Sequence, residues 1–192
     1  MKLLGRRCKM TTKESRFIAD VREDVKIFVE HIRGSVNYRY FQNRSYLESD
    51  RYSVFHYNFE DINEIELSTD ENELLDKELS IVLPRIAFQL GVACGKILAH
   101  NGTRQAIIVD APNTPEQMME VKEDGFPCIN IMHLIASNHK LDLKAFMRSS
   151  NIEKMLVIDL VFLSRILTMA CSATNQKPGV ITVFISNAHV EL

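Results

Sequence analysis

The sequence has no tryptophan, no cysteine pair at CxxC spacing and no excess of either charge, and each absence narrows what the chain does. Its 23 Lys plus Arg stand against 25 Asp plus Glu, which argues against a surface built to hold duplex nucleic acid. A phosphorylated small molecule stays open, because holding one takes only a local cluster of donors. Cys8, Cys94, Cys128 and Cys171 lie far apart, so neither a disulfide framework nor a zinc site is indicated. The opening MKLLGRRCKM lacks the apolar run of a signal peptide, and no window approaches eighteen apolar residues free of charge. The expectation is a cytoplasmic chain without a membrane span, in which the sequons at Asn43 and Asn101 carry no weight. There is no repeat and no low-complexity segment.

What is present suits one domain over residues 1–192, since 46 % apolar residues suffice for a continuous core. Residues 12–33 place Phe17, Val21, Val25, Phe28, Val29 and Ile32 at helical spacing before Gly34, an amphipathic helix. Aromatics among Asn, Ser and Arg then give residues 35–59 a strand-and-turn composition. Such a mixture can stack bases, but the acidic stretch from Glu60 to Glu78 follows directly and disfavours nucleic acid. Over residues 83–99 a stripe of Leu83, Ile86, Leu90, Ala93 and Ile97 predicts a helix, with Pro84 in its first turn and His100 to Gly102 closing it. A strand follows over residues 104–111, running into a turn at Ala111, Pro112 and Asn113.

Two period-two runs joined at Ser137 to Lys140 predict a hairpin that brings Cys128 at one end beside Arg148 at the other. The run from Ile158 to Ala173 is apolar nearly all round, as a central buried helix would be. A Pro-Gly turn, a strand from Val180 to Ile185 and then His189 close the sequence. The pattern predicts an α+β domain with helices laid against a largely antiparallel or mixed sheet.

Polar residues inside apolar segments are informative because burial demands a partner or a ligand. Cys128 is either a small buried hydrophobe or, with its pKa depressed by a nearby arginine, a nucleophile. Arg148 with Ser149, Ser150 and Asn151 forms a donor-rich patch apt for a phosphate, or an arginine tied to a carboxylate such as Asp142. Asp159 reads as a helix cap or as a carboxylate accepting from an exocyclic amine. His189 is a sugar-hydroxyl partner or a residue at a strand end.

In chain order, Arg104-Gln105, Pro127-Cys128, Arg148-Ser149-Ser150-Asn151, Asp159, Lys177-Pro178-Gly179 and Ala188-His189 resemble the motifs of the thymidylate synthase and deoxycytidylate hydroxymethylase family over residues 84–192. The resemblance implies a thymidylate synthase-like fold and a homodimer. It implies a Cys128 thiolate adding to C6 of a pyrimidine nucleoside monophosphate, with 5,10-methylenetetrahydrofolate supplying the one-carbon unit. Arg148 and Ser149 would hold the 5′-phosphate, Arg104 would reach the partner's phosphate, and His189 would meet the sugar. Asp159 stands where the family reads the base with asparagine; aspartate is typical of the branch that hydroxymethylates dCMP, so dCMP or CMP is the implied substrate.

The departures are several. Gln105 replaces an arginine, Asn151 the folate-side aspartate, Lys154 and Met155 an apolar-Gly pair, and Glu191 a ribose-contacting tyrosine. The N-terminal part is divergent, its nearest echo of the catalytic glutamate being Glu73, and the sequence reaches Leu192 without the family's C-terminal lid. The alternative is therefore a catalytically inactive homologue that binds a nucleotide or a protein.

Overall fold

The computed structural model describes residues 21–34, 37–41, 44–49, 52–110 and 128–192. Residues 12–20 of the first expected helix, the turn at Ala111 to Asn113, Pro127 and Cys8 lie outside the described residues. Helix α1 (Val21–Arg33) precedes strands β1 (Tyr38–Phe41), β2 (Arg44–Glu48) and β3 (Ser53–Asn58). Then come α2 (Phe59–Asn63), α3 (Thr69–Ala99), β4 (Ile107–Val109), β5 (Ile129–Ser137), β6 (Lys140–Asn151), α4 (Ile152–Thr174) and β7 (Lys177–Glu191).

The seven strands form one mixed sheet in the order β1-β2-β7-β6-β5-β4, with β3 also paired to β7. Strands β6 and β7 are parallel and the other pairs antiparallel. The parallel pair needs a crossover, and α4 supplies it. The expected α+β class with a mixed sheet and a central buried helix is what the chain adopts. The β5–β6 hairpin turns through Asn138 (φ 49°) and His139 (φ 61°), two consecutive left-handed residues whose twist matches that of the paired strands.

One face of the sheet makes the core. Leu134, Leu143, Ala145, Ile181 and Val183 are fully buried there, as are Leu156, Leu160, Leu163 and Leu167 of α4. Burial claims 15 of the 23 residues of α4, because the sheet covers one side and α1, α2 and α3 pack on others. The opposite face carries an apolar row across five strands, Val54, Phe184, Phe146, Ile131 and Val109, joined by cross-strand register. Phe146 and Phe184 stack there with centroids 4.8 Å apart, and Phe146 is 42 % exposed.

Four expected boundaries differ, the first being β4, which covers Ile107–Val109 where a strand over residues 104–111 is expected. Helix α3 begins fourteen residues before Leu83, because Ser68 and Glu71 form a capping box and Arg22 forks onto the Glu71 carboxylate at 2.8 and 2.9 Å. Pro84 therefore sits in the interior of α3; the cost of about 3 kcal/mol is offset by burial of Leu75, Val82, Ile86 and Leu90 around it. Helix α4 starts at Ile152 behind an Asn151 cap rather than near Asp159, so the capping reading of Asp159 fails. The final strand is longer than Val180 to Ile185: Pro178, Gly179 and His189 all lie within β7, and the chain reverses instead at left-handed Asn175, φ 53°.

By length and composition α3 and α4 are both apolar enough to cross a membrane, and neither holds eighteen residues free of charge, since Arg85 and Lys96 interrupt the one and Asp159 and Arg165 the other. The relevant window of α4 is 72 % buried inside the domain, as a core helix is, whereas that of α3 is 33 % buried. Helix α3 lies along β4, where the Gln89 side-chain amide donates to Val109 O and its carbonyl accepts from Val109 N, both at 2.8 Å.

Gly179 is fixed by a close approach. A Cβ there would stand 2.0 Å from Asp142 Oδ1, the atom that accepts from Val180 N at 2.8 Å. Gly179→Ala is expected to displace that carboxylate and lower stability by about 1–3 kcal/mol, measurable by denaturant unfolding.

Candidate active site

Cys128 immediately precedes β5, and the Arg148 backbone N–H of β6 donates to its carbonyl at 2.8 Å. The two open ends of the hairpin are thereby joined, as the alternation of residues predicts. Behind them lies a hollow of about 170 Å³, walled by α3, the start of β5, the end of β6 and the early turns of α4. Cys128, Ser150 and Asp159 line it together with Glu78, Arg85 and Asp110.

Strand β6 runs straight into α4, which fixes the polar part of this wall. Asn151 caps the helix, its Oδ1 accepting from Lys154 N at 3.3 Å. One residue earlier, Ser150 Oγ donates to Asp159 Oδ2 at 3.0 Å. Both partners are buried, Ser150 2 % and Asp159 7 % exposed. Across the hollow, Arg85 Nη2 donates to the buried carboxylate of Asp110 at 2.7 Å.

The electrostatics of this pocket oppose charge on its acids. Burial pushes the Asp159 pKa up to about 7, against the pull of the Ser150 hydroxyl and with help from the charge of Glu78. Burial likewise raises Glu78, which Arg85 and Lys77 counter, and Asp110, which its bond to Arg85 counters. Cys128 is exposed as a residue, yet the packing around its sulfur is close enough that desolvation leads the causes raising its pKa. Asp159 and Glu78 add to that rise, while Arg148 and a hydrogen bond with Ser149 oppose it. The depressed thiol pKa expected from the arginine is thus reversed, because burial and two carboxyls outweigh one guanidinium.

The other sequence-nominated residues are distributed unevenly. Arg148 and Ser149 adjoin Cys128 on the neighbouring strand and both act on its thiol. His189 lies on β7 opposite Asn151, its ring edge-on to Tyr46 with centroids 5.2 Å apart. Arg104 is exposed ahead of β4, whereas Asp110, which lines the hollow, follows that strand. Glu73 is exposed and does not line the hollow; Glu78, five residues on, does. Glu78 and Arg85 were legible as a pair seven residues apart on one helical face, once α3 was known to extend through both. Two departures from the family pattern also meet: Lys154 Nζ donates to the Glu191 carboxylate, so each substitution neutralises the other.

The hollow thus brings a thiol, three carboxyls and the cations of α3 together at the ends of β5 and β6 on an α+β scaffold. No family model matches the chain. It is similar to a protein described as "Putative thymidylate synthase" from Methanopyrus kandleri, 32 % identical over 91 residues. The match takes in 47 % of this chain and 42 % of that protein, so the chain spans under half the length of the relative it matches. The similarity to the thymidylate synthase family indicated by the sequence motifs is thereby supported by a second comparison.

Asp159 makes folding sensitive to pH. Its folded pKa of about 7 exceeds the ordinary 3.8, so its contribution is complete below about pH 4 and is lost as pH rises through 7, where the buried group must ionise. Asp159→Asn removes this dependence. Relative to wild type, the variant is expected to gain on the order of a few kcal/mol between pH 4 and pH 8, seen by comparing unfolding curves at the two pH values.

Proposed function

We propose that the chain carries out folate-dependent C5 hydroxymethylation of a cytidine nucleotide, dCMP or CMP, through a covalent adduct at Cys128. The observation that carries this reading is that Cys128, Asp159 and Glu78 line one hollow with Arg148 and Ser149 alongside. A cavity of about 170 Å³ suits a pyrimidine ring; it falls short of the ~300–1,000 Å³ of sites that enclose larger ligands. A folate would lie at the rim, where Ile81 of α3 lines the hollow and exposes apolar surface.

When bound, 5,10-methylenetetrahydrofolate would supply a one-carbon unit at the oxidation level of formaldehyde. Arg148 and Ser149 would hold the 5′-phosphate by charge and hydroxyl donation, and His189 would meet the sugar. Cys128 would give its proton to an ionised carboxyl of the hollow and bond to C6, making C5 nucleophilic. Glu78, its proton affinity raised by burial, is suited to take the C5 proton once the new carbon–carbon bond has formed. Loss of that proton with release of tetrahydrofolate from the new carbon would leave an exocyclic methylene on C5, addition of water there would complete the hydroxymethyl group, and departure of Cys128 from C6 would restore the ring double bond. Asp159 acts differently from a permanently ionised acceptor: with a pKa of about 7 it is substantially neutral at neutral pH. A neutral acid both donates and accepts, so it can give a proton to N3 of cytosine while accepting from the exocyclic amine.

A second reading, a catalytically inactive homologue that binds nucleotide or protein, is favoured by the raised thiol pKa of Cys128. The two separate on incubation with dCMP or CMP and methylenetetrahydrofolate, followed by mass spectrometry. A 5-hydroxymethyl product that disappears in Cys128→Ala is expected; nucleotide binding without product from wild type would leave the second reading. The setting proposed for either is the cytoplasm, without a membrane or nucleic-acid partner.

The same reading includes a homodimer joined through the exposed apolar row of the sheet, with Arg104 reaching toward the partner's phosphate. Phe146→Asp is expected to leave the circular dichroism spectrum intact and reduce the mass in sedimentation to that of a monomer, while a wild-type monomer would overturn the dimer.

A further inference from the structure

We propose that Ser150 is a positioning residue that fixes which oxygen of Asp159 meets the base, and so makes the hollow selective for pyrimidines with an accepting N3, as in cytosine. The inference rests on the pyrimidine reading above and adds to it a specificity role for a residue that the sequence motifs leave without one.

The geometry is a buried hydroxyl on a buried carboxyl. Ser150 is the penultimate residue of β6, two residues before α4 begins, Asp159 lies two turns into that helix, and Ser150 Oγ donates to Asp159 Oδ2 at 3.0 Å. With Oδ2 held as an acceptor by the serine, Oδ1 is the oxygen set opposite N3 of a ligand in the hollow that both residues line, and the second lone pair of Oδ2 remains for the exocyclic amine. An oxygen that accepts from serine keeps its lone pair, so when Asp159 is neutral the carboxyl proton resides on Oδ1, on the ligand side. The base then meets a donor, which matches the N3 lone pair of cytosine and opposes the N3–H of uracil. Uracil can pair with that donor only through O4, leaving its N3–H without an acceptor on Oδ1.

The charged and titratable groups around Asp159 come from each wall of the hollow: Lys77, Glu78 and Arg85 of α3, Asp110 after β4, and Cys128 before β5. Among the groups acting on Asp159, Glu78 disfavours ionisation and Ser150 favours it. Loss of the serine hydroxyl therefore has two effects: it extends the neutral acid to higher pH, and it frees the proton to sit on either oxygen.

The test compares wild type, Ser150→Ala, Ser150→Thr and Asp159→Asn by ¹³C-carboxyl NMR titration without ligand, and by CMP and UMP binding from pH 5.5 to pH 9. In wild type, CMP affinity should fall as Asp159 ionises. In Ser150→Ala the carboxyl midpoint and that fall should both move up by about one unit, the shift expected on losing a hydrogen bond to a charged group. The CMP-over-UMP ratio at pH 6 should drop severalfold in the same variant. Ser150→Thr, which keeps the hydroxyl, should restore both readouts, and Asp159→Asn should bind with no such pH dependence. An unmoved midpoint and ratio in a folded Ser150→Ala protein overturns the inference while leaving the proposed function standing. Failure of wild type to bind either nucleotide at any pH overturns the proposed function, and the specificity role with it.

Discussion

The insertion of α4 between the two parallel strands it connects governs everything else in this structure. Strand β6 passes into the helix at Asn151 with no intervening loop, and β7 returns alongside β6 at the other end. A helix held on all sides by sheet and neighbouring helices has little freedom to slide or turn. Ser150, Asn151 and Asp159 therefore occupy fixed positions relative to Cys128, which the β5–β6 ladder sets from the opposite direction. Side chains on a strand end, a helix cap and a helix interior thereby converge on one small volume.

That volume is electrostatically cautious. Three carboxyls share it with two cations of α3, and one of those cations, Arg85, is already committed to Asp110. Burial in that volume raises the proton affinity of Glu78, of Asp159 and of the Cys128 thiol. A sulfur held this way is a poor nucleophile at rest, because reactivity belongs to the thiolate. The charge of Asp159 adds to the rise of the thiol pKa, which links the protonation of Asp159 to the state of Cys128.

Much of the scaffold was legible in the sequence, for identifiable reasons. The β5–β6 hairpin announces itself through alternation and through Asn138-His139 at the turn, and the apolar girth of α4 marks it as a core helix. The start of α3 was hidden because its capping residues, Ser68 and Glu71, sit within an acidic stretch that reads as solvated surface. That one oversight concealed that Glu78 lines the hollow while Glu73 does not. Pro84 reinforced the error, since proline more often opens a helix than lies within one. The meeting of Cys128 with Arg148 followed from strand pairing alone. The reversal of the expected thiol shift did not, because it depends on burial and on carboxyls contributed by distant segments.

The paired bonds of Gln89 to Val109 have a consequence beyond holding α3 in place. The terminal strand of a sheet usually offers its unpaired backbone groups to any extended chain that drifts by. Here a side-chain amide imitates the next strand and fills both vacancies at that residue. Growth of the sheet by lateral addition is obstructed at that point of this margin.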